Sequence, residues 1–136
     1  MIPVTSLQDA FPEVSPGIRP FGTRVLVQLR LVKQQTKSGI ILVEDTRQFN
    51  KANTQLAKVI DMGPLAFCNR DTGNPWNEGM WAKVGDLVRI PQYGGDRFER
   101  ELEPGSDEKV IFALFQDHEL LGEVQLEAFE NLDQIL

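Results

Sequence analysis

The sequence predicts a small all-β barrel with appendages at both ends of the chain. Three observations carry that expectation. Short apolar runs rich in β-branched residues recur along the chain, with turn residues between them. Eight prolines and eleven glycines punctuate the sequence, so the 3.6-residue apolar period of a helix is missing until the C-terminal tail. At 136 residues the chain has the size at which one domain closes around one core.

The elements follow in order. Residues 1–17 hold Pro3, Pro12 and Pro16 among scattered apolar side chains. They read as an extended N-terminal arm, ordered only where something covers it. Arg24 to Arg30 places Val25, Val27 and Leu29 on one face, the pattern of a half-buried strand. Lys33 to Ser38 then offers no core-forming residue, Gly39-Ile40-Ile41-Leu42-Val43 breaks the polarity abruptly, and Glu44 to Thr54 is polar again apart from Phe49 and Ala52. Two readings stand for this cluster: an ordinary β-strand, which its β-branched residues suit, or an apolar patch carried on a loop over about 32–54.

Leu56 to Met62 reads as a second strand, ended by Gly63-Pro64. A projecting hairpin over about 64–82 carries Gly73, Pro75 and Gly79, and its Phe67, Trp76, Met80 and Trp81 are expected to form a satellite aromatic cluster. Val84-Gly85-Asp86 turns into a strand at Leu87–Ile90 that Pro91 closes. After the Tyr93-Gly94-Gly95-Asp96 turn, Arg97 to Glu103 alternates charged and apolar residues as an exposed hairpin arm does. Pro104 to Asp107 is a tight turn, Val110 to Phe115 is the most hydrophobic strand, and Asp117 is placed to cap one helical turn over His118 to Leu121. In the tail, 125–136, Leu126, Phe129, Leu132 and Leu136 recur at helical spacing with Glu127, Glu130 and Asp133 between them. This predicts a short amphipathic helix that needs a docking surface.

Composition excludes several kinds of chemistry. The chain has one cysteine, Cys68, and one histidine, His118. That leaves no intramolecular disulfide, no Cys/His zinc site and no Cys–His pair with a third residue to orient it. A net charge of −6 disfavours nucleic acid and anionic membrane surfaces. The longest apolar runs are far too short to span a bilayer. The opening residues, Met-Ile-Pro-Val-Thr-Ser, lack the features of a secretory leader, so a reduced, cytoplasmic compartment is expected.

No group reaches the standard of a catalytic or metal site. Gly94-Gly95 is not followed by a helix bearing Lys-Ser/Thr and reads as a turn rather than a phosphate cradle. Asp96, Glu99, Glu101 and Glu103 alternate with Arg97 and Arg100, the pattern of a solvated face. His118 sits in a polar turn, and nothing nearby activates Cys68. The expectation is no enzyme, no catalytic residue, no metal and no cofactor.

Five collinear segments resemble the GroES-type co-chaperonins, the small lids of GroEL-type chaperonins. Ile18-Arg19-Pro20-Phe21-Gly22-Thr23-Arg24-Val25-Leu26-Val27 is similar to the family's opening strand, and Thr36-Lys37-Ser38-Gly39-Ile40-Ile41-Leu42 to its Thr-Lys-Ser loop. Lys83-Val84-Gly85-Asp86-Leu87-Val88 resembles its Lys-Val-Gly-Asp turn, and Tyr93-Gly94-Gly95 its Tyr-Gly. Glu108 to Phe112, with Asp117 and Leu120-Leu121, resembles the closing strand and turn. The resemblance spans 18–124. It leaves the arm, the tail and a longer, more aromatic roof segment as departures, the texture of a divergent, bacteriophage-encoded member working in the host cytoplasm.

The resemblance implies a GroES-like β-barrel with a mobile loop, to which the residues themselves add an extended roof hairpin carrying Phe67, Trp76 and Trp81 and a short C-terminal helix. It implies that Gly39, Ile40, Ile41 and Leu42 bind the chaperonin's apolar groove. It further implies a homo-heptamer whose seam brings Ile18, Arg19 and Pro20 of one subunit to Leu120, Leu121 and Val124 of the next. Its partners are then a GroEL-type chaperonin, which binds the ATP, and non-native polypeptide clients. A structural barrel of the same fold, such as a virion component without chaperonin activity, is the alternative. A zinc-dependent dehydrogenase domain is excluded by the missing ligands and the missing nucleotide-binding domain.

Overall fold

The apolar run Val25–Leu29 lies at the centre of the fold, in β1 (Arg24–Leu29). In the computed structural model, which describes residues 4–31 and 55–130, β1 pairs antiparallel with β2 (Leu56–Met62) on one side and with β5 (Lys109–Gln116) on the other. β3 (Leu87–Arg89) extends the sheet from β2, β4 (Asp96–Glu101) extends it from β5, and the two-residue β6 (Gly122–Glu123) pairs with β3. The described strands form one antiparallel sheet in the order β4-β5-β1-β2-β3-β6, the wall of a small β-barrel. A register shift against β2 between Leu26 and Val27 marks a bulge, which sharpens the local bend and twist. The 32–54 segment, with its Gly39–Leu42 cluster, and Leu132 and Leu136 of the tail lie outside the described residues.

Val25, Val27 and Leu29 face a core shared with Val59, Val88, Ile90, Ala113 and Phe115. The opposite face of β1 is covered as well, so the expected half-buried strand is buried on both sides. Leu26 packs with Val110 and Phe112, flanked by Val14 of the arm and Phe98 of β4. Gln28 is only 2% exposed, and its Nε2 donates to the Pro12 carbonyl at 2.8 Å. That bond satisfies an amide whose burial would otherwise be costly.

The arm departs from the extended expectation, because Val4–Ala10 forms a helix, α1. The Phe11 N–H donates to the Leu7 carbonyl at 2.9 Å and closes it. Pro12 ends it, since the residue before a proline is pushed out of the helical region. So short a helix is marginal by itself. It is held because Leu7, Ala10 and Phe11 pack on Leu56 and Leu87, together with Val124, Leu126 and Phe129 of the tail.

The tail is corrected too. Leu126–Ala128 makes a single 3-10 turn, and Phe129 is already extended at φ −124°, ψ 146°. Leu126 and Phe129 reach the Leu56–Leu87 patch from that turn, so docking is achieved without an α-helical period over the described part of 125–136.

Gly63 ends β2 where only a glycine fits. Its N–H donates to the Arg24 carbonyl at 2.9 Å, and a Cβ there would run into the Gly22 carbonyl oxygen and lie 2.9 Å from the Phe21 carbonyl carbon. All are backbone atoms with no side chain to swing aside. Gly63→Ala should cost about 1–3 kcal/mol, read as a melting temperature lowered by roughly 3–10 °C in circular dichroism. An unshifted melting curve contradicts this placement of the turn.

The β4–β5 hairpin is partly the solvated arm the charge pattern suggested. Arg97 is the exception: its Nε donates to the Gly94 carbonyl at 3.1 Å, and its Nη2 donates to those of Pro91 and Gln92 at 3.1 and 3.3 Å. The guanidinium stands 5.7 Å from the centre of the Phe115 ring, and burial lowers its pKa. Glu101, at the far end, accepts the Gly105 N–H at 3.0 Å and faces Lys109 Nζ at 3.4 Å.

The Gly105 bond, then the Lys109 charge, holds the Glu101 carboxyl below its ordinary range. A folded pKa below the unfolded one means that this stabilisation is complete above the ordinary carboxylate range and fades as pH falls through the folded value. Acid titration followed at the Gly105 amide should show the hairpin tip loosening there, and Glu101→Gln should abolish the step. The same titration persisting in Glu101→Gln contradicts the assignment.

Candidate functional site

The roof hairpin grows from a tight turn after Gly63. The Ala66 N–H donates to the Gly63 carbonyl at 3.1 Å and the Cys68 N–H to that of Leu65 at 3.0 Å. This turn forces Phe67 into the left-handed region at φ 60°, the one non-glycine residue at positive φ among those described. A side chain there is strained. The compensation is that Phe67 turns inward to 1% exposure.

Its ring meets Trp76 edge-on at 5.4 Å and Trp81 at 6.1 Å, while the two indoles lie 4.9 Å apart. The Trp81 Nε1 donates to Glu78 at 2.9 Å, which leaves the polar handle of the indole satisfied. These aromatics are continuous with the main core around Val88 and Phe115. The expected satellite cluster is therefore the end of the barrel core, because the left-handed backbone at Phe67 aims its ring into the barrel.

Beyond the aromatics the chain forms a short ribbon. Cys68 bridges to Pro75, the Trp76 N–H donates to the Phe67 carbonyl at 3.0 Å, and the Asn69 N–H donates to that of Asn74 at 2.7 Å. Asn69 Oδ1 caps the tip by accepting the Asp71 and Thr72 N–H groups at 2.9 and 3.2 Å.

Asp117 carries a role that sequence reasoning missed. It was expected to cap the turn over His118 to Leu121. The observed 3-10 turn is Asp117–Glu119, with Gln116 at its N-cap, and the Glu119 carboxylate accepts the Gln116 N–H at 2.8 Å. Asp117 is instead 3% exposed. Its Oδ2 accepts the Phe67 N–H at 2.9 Å, its Oδ1 accepts the His118 N–H at 2.8 Å, and its own N–H donates to the Thr23 carbonyl at 3.1 Å. One residue thus ties three places together: its carboxylate joins the root of the roof to the turn after β5, and its backbone N–H reaches the residue before β1. Its sequence signals are an aspartate directly after the most apolar strand and its place in the closing-turn resemblance, and neither points to Phe67. His118 is exposed, with Nδ1 3.5 Å from Asp117 Oδ1.

The residues expected at a subunit seam divide. Ile18 and Leu121 are 46% and 59% exposed, and Phe21, which sequence reasoning did not single out, is 72% exposed. Arg19 is exposed and Pro20 buried. Leu120 lies in the chain's own core and Val124 in the cluster under α1. From Val25 onward β1 is paired on both sides, and just before it the carbonyls of Phe21, Gly22 and Thr23 accept the N–H groups of Arg24, Leu65 and Asp117. A cavity of about 330 Å³ opens beside β6 between Trp81, Val88, Leu120 and Leu121.

Among the described residues no group of three His, Cys, Asp or Glu side chains is placed to hold a metal ion. No described helix is long and apolar enough to cross a membrane.

Comparison with known proteins places this geometry. Residues 17–122 match the family model Cpn10, chaperonin 10 Kd subunit. The chain is 39% identical over 82 residues to the co-chaperonin GroES of Methylacidiphilum infernorum, covering 60% of this chain and 75% of that protein. It is 37% identical over 108 residues to the mitochondrial 10 kDa heat shock protein of Saccharomyces cerevisiae, covering 79% and 89%. Against the co-chaperonin GroES of Staphylococcus carnosus it is 32% identical over 108 residues, covering 79% and 99%. The chain belongs to the chaperonin 10 Kd subunit family and is a co-chaperonin of the GroES type.

Proposed function

We propose that the chain works as a homo-heptameric lid on a GroEL-type chaperonin ring, displacing bound non-native polypeptide and enclosing it while the partner binds and hydrolyses ATP. The observation that carries this reading is the family match over 17–122, which runs through the roots of the 32–54 segment on both sides. Within that segment, Gly39, Ile40, Ile41 and Leu42 make the chaperonin contact. The barrel over 18–124 supplies the ring, with the 18–20 segment set against the 120–124 segment of the adjacent subunit through the exposed side chains of Ile18, Arg19 and Leu121, while Pro20, Leu120 and Val124 back them from within. The exposed apolar side chains of Ile18, Phe21 and Leu121 support that seam.

The protein acts by shape and a transient apolar anchor, without catalytic residue or cofactor of its own. One cysteine and the absence of a disulfide partner suit the cytoplasm. Limited proteolysis tests the reading. Cleavage between Lys33 and Lys51 should be suppressed by a GroEL-type ring with nucleotide; equal cleavage with and without the ring contradicts it.

A further inference from the structure

The arm and the tail, which lie largely beyond the family match, meet at one place: the roots of the 32–54 segment. Leu31, the last described residue before it, donates its N–H to the Ala10 carbonyl at the end of α1 at 2.8 Å. Leu56, one residue after the first described position beyond it, is 1% exposed under Leu7, Ala10 and Phe11 of the arm and Leu126 and Phe129 of the tail. The two roots are bonded to each other, since the Arg30 N–H donates to the Leu56 carbonyl at 3.0 Å. Gln55 is held from β3: it accepts the Ile90 N–H at 2.9 Å through its carbonyl and Arg89 Nη2 at 3.1 Å through its side chain. The arm itself is pinned further along by Gln28 Nε2 on the Pro12 carbonyl.

We infer that α1 and the tail form an intramolecular clamp on these roots and thereby set how readily the 32–54 segment engages its partner. The physical reason is entropic. Every residue fixed in the free lid is a residue whose ordering is not charged to binding. Fraying at Arg30 and Gln55 would add residues to order in each subunit, and a ring multiplies the effect over its copies. The effect on capping rests on the proposed lid function; the clamp on the roots does not.

The test uses the full chain carrying Phe11→Ala, with Leu7→Ala as the milder variant at a half-buried site. Two amides that make no bond to the arm report the roots: Arg30, bonded to Leu56, and Ile90, bonded to Gln55. Hydrogen exchange at both should accelerate about ten-fold or more in each variant, while exchange at Val25 and Val27 in mid-strand stays as in wild type. Capping of a GroEL-type ring should weaken at least ten-fold.

Unchanged exchange at Arg30 and Ile90 overturns the clamp. So does an equal acceleration at Val25 and Val27 in both variants, which would make the arm a general stabiliser of the barrel. Accelerated root exchange with unaltered capping overturns the coupling to binding. A wild-type protein that caps no ring counts against the lid function, and the exchange rates at Arg30 and Ile90 still decide the clamp.

Discussion

Asp117→Ala should lower the stability of the barrel by about 2–4 kcal/mol and release the roof. Removing the carboxylate strands the buried Phe67 N–H, and a hydrogen bond to a charged group contributes roughly 1.5–3 kcal/mol. The His118 N–H loses the same side chain. The strain of Phe67 at φ 60° is tolerated because the surroundings fix it; without Asp117 the backbone is free to relax and the ring to leave the core.

The chain's two tryptophans are both in the roof and both touch Phe67, so intrinsic fluorescence reports this site alone. Their emission should shift to the red, together with a melting temperature lowered by roughly 5–15 °C. Asp117→Asn, which keeps an acceptor oxygen, should recover much of both. Wild-type emission and melting in the alanine variant would show that the roof does not depend on this carboxylate.

If the proposed lid function holds, Ile41→Asp should abolish capping while leaving the barrel folded. Burying Ile40, Ile41 and Leu42 is worth on the order of 5–9 kcal/mol per subunit, at about 1.5–3 kcal/mol each. Ordering a loop of ten or more residues costs roughly 1–2 kcal/mol per residue. On the proposed lid function a single copy is therefore near break-even, and association would rest on several copies acting together. A charge placed in an apolar groove removes one contribution and adds a desolvation cost, repeated in every subunit. Binding measured by sedimentation with a GroEL-type ring and nucleotide should fall below detection. Binding within two-fold of wild type would place the contact elsewhere.

The sheet was legible because its signals are local. Alternation at Val25, Val27 and Leu29, the Gly63-Pro64 stop and the Gly85 turn each act within a few residues. What escaped depends on distant partners. The second buried face of β1 follows from Val14 and Phe98 arriving from elsewhere, and no pattern within Arg24–Leu29 announces it. Helix α1 contradicted the proline-rich look of the arm because its stability comes from Leu56 and Leu87.

The tail carried a helical period, yet a 3-10 turn sufficed to dock Leu126 and Phe129. Of the candidate site, the roof aromatics were visible as types, and Leu121 was reached only through the family resemblance. The pairing of Asp117 with Phe67 joins residues 50 positions apart through a backbone conformation that phenylalanine rarely adopts. Sequence spacing holds no trace of it.

The central claim is that this chain helps a GroEL-type ring fold other proteins, and the most direct measurement is the refolding yield of a client that the ring alone binds but does not release folded. With ATP, the ring and the wild-type chain, yield should rise well above that of ring and ATP alone, and Ile41→Asp should return it to that level. No gain from the wild-type chain, or full gain from Ile41→Asp, would contradict the account.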